Sequence, residues 1–270
     1  MLVHMLRVET RDLFRPLLDD LCSLLGDLST DDWSRPTACP GWSVHGVASH
    51  LLGIEVGNVS VRRDGWRLGP APGEALDPWL DEFNNQWVEA CRRVSPTLLV
   101  ALIRQAGFEF NRHVDGLDLD AIGSSVSWAG DDPAPVWLDV AREYMERAVH
   151  QQQIRLATSR PSLRDEFIAP VVRTAVHALP LALADLRRPA GTTVALTVDG
   201  DAGGKWYAVS DGHHWTLRAT PGDELKCEVR MDSVDDALKL FVRDDSATPV
   251  KGTGEPDLIA AVARTKAVLG

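Results

Sequence analysis

The spacing of apolar residues changes once along this chain, and that change limits its fold more than any other feature. Up to about residue 160 apolar side chains recur at three- and four-residue steps. Leu13, Leu17, Leu21, Leu24, Leu25 and Leu28 fall on one face of a helix expected over Val8–Leu28. From Thr192 the period is two: TTVALTVDG alternates, and GGKWYAVSDGHHWTLRAT predicts a hairpin around Asp211 and Gly212. The expected fold class is therefore α+β, a helical bundle followed by a smaller α+β domain.

Local punctuation divides the helical part. Ser29 or Thr30 caps a short turn, TDDW, and Pro40-Gly41 marks a turn before Ser43 caps a helix running from about Val44 to Arg62. Further helices are expected in WLDEFNNQWVEACRRV, in PTLLVALIRQAGFEFNRHV after the Ser95-Pro96 start signal, and in PVWLDVAREYMERAVHQQQIRLA from Pro135. The stretches DGWRLGPAPGEALDP and GSSVSWAGDDPAP read as loops at the mouth of the bundle. About four long helices thus fill the first 160 residues or so. After TSRPS come a helix, DEFIAPVVRTAVHALPLAL, the strands already noted, a short strand CEVRMD, and helices in SVDDALKLFVR and EPDLIAAVARTKAVLG. The domains are drawn at 1–163 and 164–270.

Composition excludes several kinds of partner. A formal net charge of −11 over 270 residues argues against nucleic acid, which requires clustered Lys and Arg, and against an anionic membrane surface. Cys22, Cys39, Cys91 and Cys227 are scattered and form no CxxC pair, as expected of reduced thiols in a cytoplasmic protein. Cys39, just before Pro40, reads either as a reactive thiol or as a small buried residue. The opening MLVHMLRVETRDLF has no basic region followed by an apolar run, so no signal peptide is expected. No window approaches the roughly 20 apolar residues of a membrane span. The expected state is a monomer or homodimer.

One residue stands out on the apolar stripe of the second helix. His50 lies three after Val47 and four before Ile54, so it points to the buried side, where an imidazole needs a partner. About a hundred residues later Glu146 and His150 stand four apart, which places both on one face of a helix. Two readings of that pair stay open: a solvated Glu–His pair, or two ligands of one divalent ion. If the two helices are neighbours, His50 faces the pair, and two imidazoles with one carboxylate suit zinc with a fourth position open.

The segment TACPGWSVHGVASHLLG, followed later by ERAVHQQQIR, resembles the mycothiol-dependent maleylpyruvate isomerase family, and the likeness spans nearly the whole chain. The resemblance implies a DinB-like four-helix bundle with a sterol-carrier-like α+β domain behind it. It implies a divalent metal, zinc foremost, held by His50, Glu146 and His150, with mycothiol as cofactor. It further implies an enzyme in which a metal-bound thiolate attacks an unsaturated or electrophilic small molecule, giving cis–trans isomerisation or thiol S-transfer. A C-terminal arginine, Arg243 in LKLFVRDD or Arg218 in WTLRAT, would steady a substrate carboxylate. Trp33, Trp42 and Trp128 read as pocket walls or as core. The alternative from another class is a non-catalytic small-molecule or lipid carrier with a vestigial metal site.

Overall fold

The structure, a computed structural model, describes residues 6–66, 69–71, 73, 75–242 and 250–267. The chain forms two compact units that interleave along it: Thr10–Asp118 with Glu146–Leu163, and Met1–Glu9 with Leu119–Met145 and Arg164–Gly270. The sequence reading drew a single boundary after residue 163. The units interleave because one long helix contributes its first part to one unit and its second part to the other.

The first unit is a helical bundle. Its helices are α1 (Phe14–Gly26), the short α2 (Thr30–Trp33), α3 (Val44–Asn58), α4 (Leu76–Cys91), α5 (Pro96–Asp115) and the part of α6 (Val136–Ala157) from Glu146 on. A 3-10 turn, Arg11–Leu13, leads into α1, and α3 ends in a π-helical turn, Val59–Arg63. The helix expected from Val8 begins six residues later. Pro16 has no N–H, and a start at Phe14 puts it in the first turn, where no intrahelical donor is needed. The caps follow the sequence: Ser29 forms a capping box with Asp32, Ser43 Oγ accepts from Gly46 N, and Ser95 Oγ accepts from Leu98 N ahead of Pro96. Leu21 and Leu25 of α1, Val47 and Leu51 of α3, Leu99 and Ile103 of α5, and Ile154 of α6 bury into one core. Each such side chain contributes roughly 1.5–3 kcal/mol on leaving water. Gly53 lets α4 close on α3, since a Cβ there would lie 2.8 Å from Trp87 Cγ.

The second unit is built on a five-stranded mixed sheet. Its strands are β1 (Thr192–Val198), β2 (Gly204–Ser210), β3 (Trp215–Arg218), β4 (Glu224–Met231) and β5 (Lys251–Gly254), in the order β3-β2-β1-β4-β5. β1 pairs antiparallel with β2 and parallel with β4, and it is buried along nearly its whole length as the central strand. The sheet is accompanied by α7 (Asp165–Ala175), a 3-10 turn (Val176–Ala178), α8 (Leu179–Ala182), α9 (Val234–Phe241), α10 (Pro256–Val262) and the first part of α6.

Three local expectations change here. The single helix expected over 165–183 is broken, because Pro180 cannot donate to the Val176 carbonyl; the chain tightens into the 3-10 turn and restarts with Pro180 in the first turn of α8. Of the helix expected over 255–270, the described residues are α-helical over Pro256–Val262, and 268–270 lie outside the described residues. β5 was not expected at all: KGTG has no apolar residue, and only its backbone pairing with β4 makes it a strand. Among the described residues no helix is long and apolar enough to cross a membrane.

His177 lies buried in this unit, its Nε2–H donating to the Leu6 carbonyl at 2.9 Å and its ring 5.5 Å from that of Trp137. Burial lowers it from the ordinary 6.5 to about 4, against a smaller opposing pull from the Leu6 carbonyl. The unfolded chain therefore takes up a proton near pH 6.5 that the folded protein refuses. Stability is whole above pH 6.5 and falls as pH drops toward 4, by about 3 kcal/mol from this group. Denaturant unfolding at pH 7 and pH 4 should show this loss in the native protein, and His177→Gln should flatten that part of the pH dependence.

Candidate metal centre

The site begins with a short loop. Between α2 and α3 the chain doubles back over residues 35–44: Val44 N donates to Arg35 O at 2.9 Å, Thr37 N to Trp42 O at 3.1 Å, and Trp42 N to Cys39 O at 3.1 Å. Thr37 Oγ1 closes the turn, donating to Trp42 O and accepting from Cys39 N. Gly41 takes a φ of +79°, a left-handed conformation that costs a residue with a Cβ, which accounts for the Pro-Gly pair. The loop sets down Trp42 and Cys39 beside the start of α3. Trp42 donates from Nε1 to Asn85 Oδ1 at 3.0 Å and rests its ring 4.9 Å from that of His50.

α3 then presents His50, and α6 presents Glu146 and His150 one turn apart. The His50 and His150 rings meet edge-on with centroids 4.7 Å apart. Both Nε2 atoms approach the same oxygen, Glu146 Oε1, at 3.8 Å from His50 and 3.4 Å from His150. One ligand atom from each residue lies within 4.8 Å of the other two, and among the described residues this is the one such group of metal-binding type. A separation of 3.8 Å is too long for a good hydrogen bond. Neighbouring ligands of a tetrahedral ion with bonds of about 2.0–2.1 Å stand about 3.3 Å apart, close to what is seen. The residues therefore fit a divalent cation, both in their separations and as an imidazole, imidazole, carboxylate donor set.

Electrostatics favour the donor form of two of the three residues and leave His150 with a proton to give up. Burial holds His50 below its ordinary value, so it is neutral with a lone pair to give. Burial alone would raise Glu146, but the polar contact with His150 and the nearness of His50 outweigh it, and the carboxyl is held well below the usual range. Burial likewise opposes a charge on His150, yet Cys39 and Glu146 beside it prevail and raise it to about 10. The two shifts agree: without a cation, Glu146 and His150 form an ion pair.

Two further residues join the site, Gln153 and Cys39. His150 Nδ1 lies 2.8 Å from Gln153 Oε1, and Cys39 Sγ lies 3.1 Å from the same oxygen and 3.8 Å from Nδ1. The signal for Gln153 was its place three residues after His150, where the family that the chain resembles often carries an acidic residue. For Cys39 it was the cysteine before Pro-Gly, and the structure leaves that side chain half-buried. Trp33 is buried with its ring edge-on to His45, and Trp128 is buried in the other unit. Arg218 ends β3 exposed, with Nε donating to Thr216 Oγ1 at 3.2 Å; Arg243 lies outside the described residues.

A buried ion pair ties the two ligand-bearing helices together. Arg147 of α6 donates from Nε and Nη2 to the two oxygens of Glu55 on α3 at 2.7 and 2.9 Å, and its guanidinium lies 4.4 Å over the Phe110 ring. Glu55 sits five residues past His50, and Arg147 lies between Glu146 and His150, so this clamp holds the helix spacing on which the ligand separations depend.

Comparison with known proteins bears on the family and the fold. The family described as mycothiol maleylpyruvate isomerase N-terminal domain matches residues 14–155. Among solved structures, a crystal structure of the mycothiol-dependent maleylpyruvate isomerase is similar at a TM-score of 0.55 and 11% identity, covering 91% of this chain and 92% of that one. A histidine-to-alanine mutant of that enzyme is similar at a TM-score of 0.52 and 12% identity, with the same coverage. No curated protein matches the chain.

Removing one member of the Arg147–Glu55 pair leaves the other charge buried alone, which costs about 3–5 kcal/mol. Glu55→Leu and Arg147→Met should each lower stability by that order in denaturant unfolding, and the double variant should cost clearly less than their sum.

Proposed function

The chain belongs to the mycothiol maleylpyruvate isomerase N-terminal domain family, and on that premise we propose that it is a metal-dependent enzyme acting with mycothiol on an unsaturated or electrophilic small molecule. Cis–trans isomerisation is the reaction the reading favours, and thiol S-transfer is the same chemistry with the adduct kept. The observation that carries it is the approach of two imidazole Nε2 atoms to one carboxylate oxygen inside the bundle. In this reading His50, Glu146 and His150 hold the metal, and the donor set suits zinc.

A divalent cation at these ligands would keep a low-molecular-weight thiol as thiolate at neutral pH, and reversible thiolate addition to an activated C=C leaves a single bond free to rotate. The protein's own residues do the rest. Glu146 supplies one negative charge against the two of a dication, so the centre stays electrophilic. Trp42, fixed by Asn85, covers one side of His50 and keeps water from that ligand. A guanidinium suits a substrate carboxylate in bidentate fashion, and the reading gives that role to Arg243 or Arg218.

Protein purified without added metal is expected to carry about one divalent ion per chain by elemental analysis, and His50→Ala to lose it together with thiol-dependent isomerisation of an unsaturated diacid. A stably folded, metal-free His50→Ala protein with full activity would refute the reading. Because a proton must leave His150 for the cation to bind, affinity in chelator competition should rise from pH 6 to pH 8, by up to about tenfold per unit. Arg243→Ala and Arg218→Ala, compared at saturating thiol, should separate the two arginines: only the one that meets the carboxylate raises KM several-fold.

A further inference from the structure

We propose that Gln153 is a positioning residue that fixes which nitrogen of His150 is offered to the cation, an inference that rests on the metal reading of the site. Glu146, His150 and Gln153 succeed one another at four- and three-residue steps along α6, so they share one face of the helix. The His150 ring stands between the other two side chains. Its Nε2 is 3.4 Å from Glu146 Oε1, and its Nδ1 is 2.8 Å from Gln153 Oε1. An amide oxygen can only accept, so Nδ1 keeps its proton and the lone pair falls on Nε2, the nitrogen that faces Glu146 and His50. A second donor secures the amide itself: the Cys39 thiol donates to the same Oε1 at 3.1 Å. Turning the amide over would set its NH2 against the Nδ1–H, so the orientation is held from two sides. The loop that carries Cys39 is itself fixed by Thr37 and the Arg35–Val44 pairing.

The acceptor is also neutral. A carboxylate in this place would make the imidazole a stronger donor and add a second negative charge near the ligands. An amide sets the tautomer without either effect, leaving more of the cation's charge for an incoming thiol.

The test uses zinc affinity, measured by competition with a chromogenic chelator, together with nitrogen NMR of the zinc-loaded protein labelled at histidine. Gln153→Met, close in volume but without the acceptor, is expected to weaken zinc binding 10–100-fold and to lose the exchange-protected Nδ1–H signal of His150. Gln153→Glu, which restores an acceptor, is expected to bind zinc at least as tightly as the native chain and to keep that signal. Agreement of the native and Gln153→Glu proteins against Gln153→Met separates positioning from misfolding, which circular dichroism also checks. Native protein and Gln153→Met binding zinc equally, or NMR placing the metal on Nδ1, would overturn the role of Gln153 while leaving the metal centre intact. Failure of the native protein to take up zinc or any other divalent ion would instead overturn the metal reading from which the inference starts.

Discussion

The bundle has to bury charge, and everything about the site follows from how it does so. A carboxylate and two imidazoles lie between helices that bury a large aliphatic and aromatic core beside further polar groups such as Glu55, Arg147 and Gln151. Left unpaired, each would cost several kcal/mol in such surroundings. The structure meets most of that cost by mutual satisfaction, with His50 Nδ1 left buried without a hydrogen-bond partner among the described residues. Glu146 faces both histidines, His150 is bonded on its far side to Gln153, and the neighbouring Arg147 is matched by the two oxygens of Glu55 and by the faces of aromatic rings. Polar groups so arranged leave α3 and α6 little freedom to slide, because a shift of one helical step would expose every one of them to apolar neighbours.

That economy explains which parts of the site could be read from the amino acids alone. His50 was conspicuous because a helical stripe of Val47, Leu51 and Ile54 dictates where it points, and Glu146 and His150 were paired by a spacing that the helix enforces. Their meeting was an assumption about neighbouring helices until the structure brought them together. Gln153 was marked only through the resemblance, and its contact with Cys39 could not be read, since a loop makes it whose path depends on Thr37, Gly41 and Arg35 acting at once. Glu55 and Arg147 were equally silent: a charged residue on a helix reads as solvated unless its partner, about ninety residues away, is already known.

The fold divides along the same line between local and distant causes. Helices with a cap, a first-turn proline and an apolar stripe appear where expected, and so does the hairpin that turns after Ser210, where the Asp211 side chain accepts from the amides of His213 and His214. Departures arise where proline acts on one hydrogen bond, as at Pro16 and Pro180, or where a strand exists only through its neighbour. β5 is the clearest instance: its side chains say nothing of a strand, while its backbone pairs with β4 at four positions from Arg230 to Cys227.

The placement of three site residues on a single helix has a thermodynamic consequence. Along α6 the separations of Glu146, His150 and Gln153 are set by helical geometry, so about two turns of local structure are enough to bring them into register. His50 arrives only when α3 docks, after closure of a loop of about a hundred residues. A ligand that needs all three donors therefore recognises the assembled bundle and ignores the open chain. At a concentration one hundred times its dissociation constant it would deepen the native well by about 2.7 kcal/mol, so that occupancy of the centre and persistence of the helical unit become two readings of a single equilibrium.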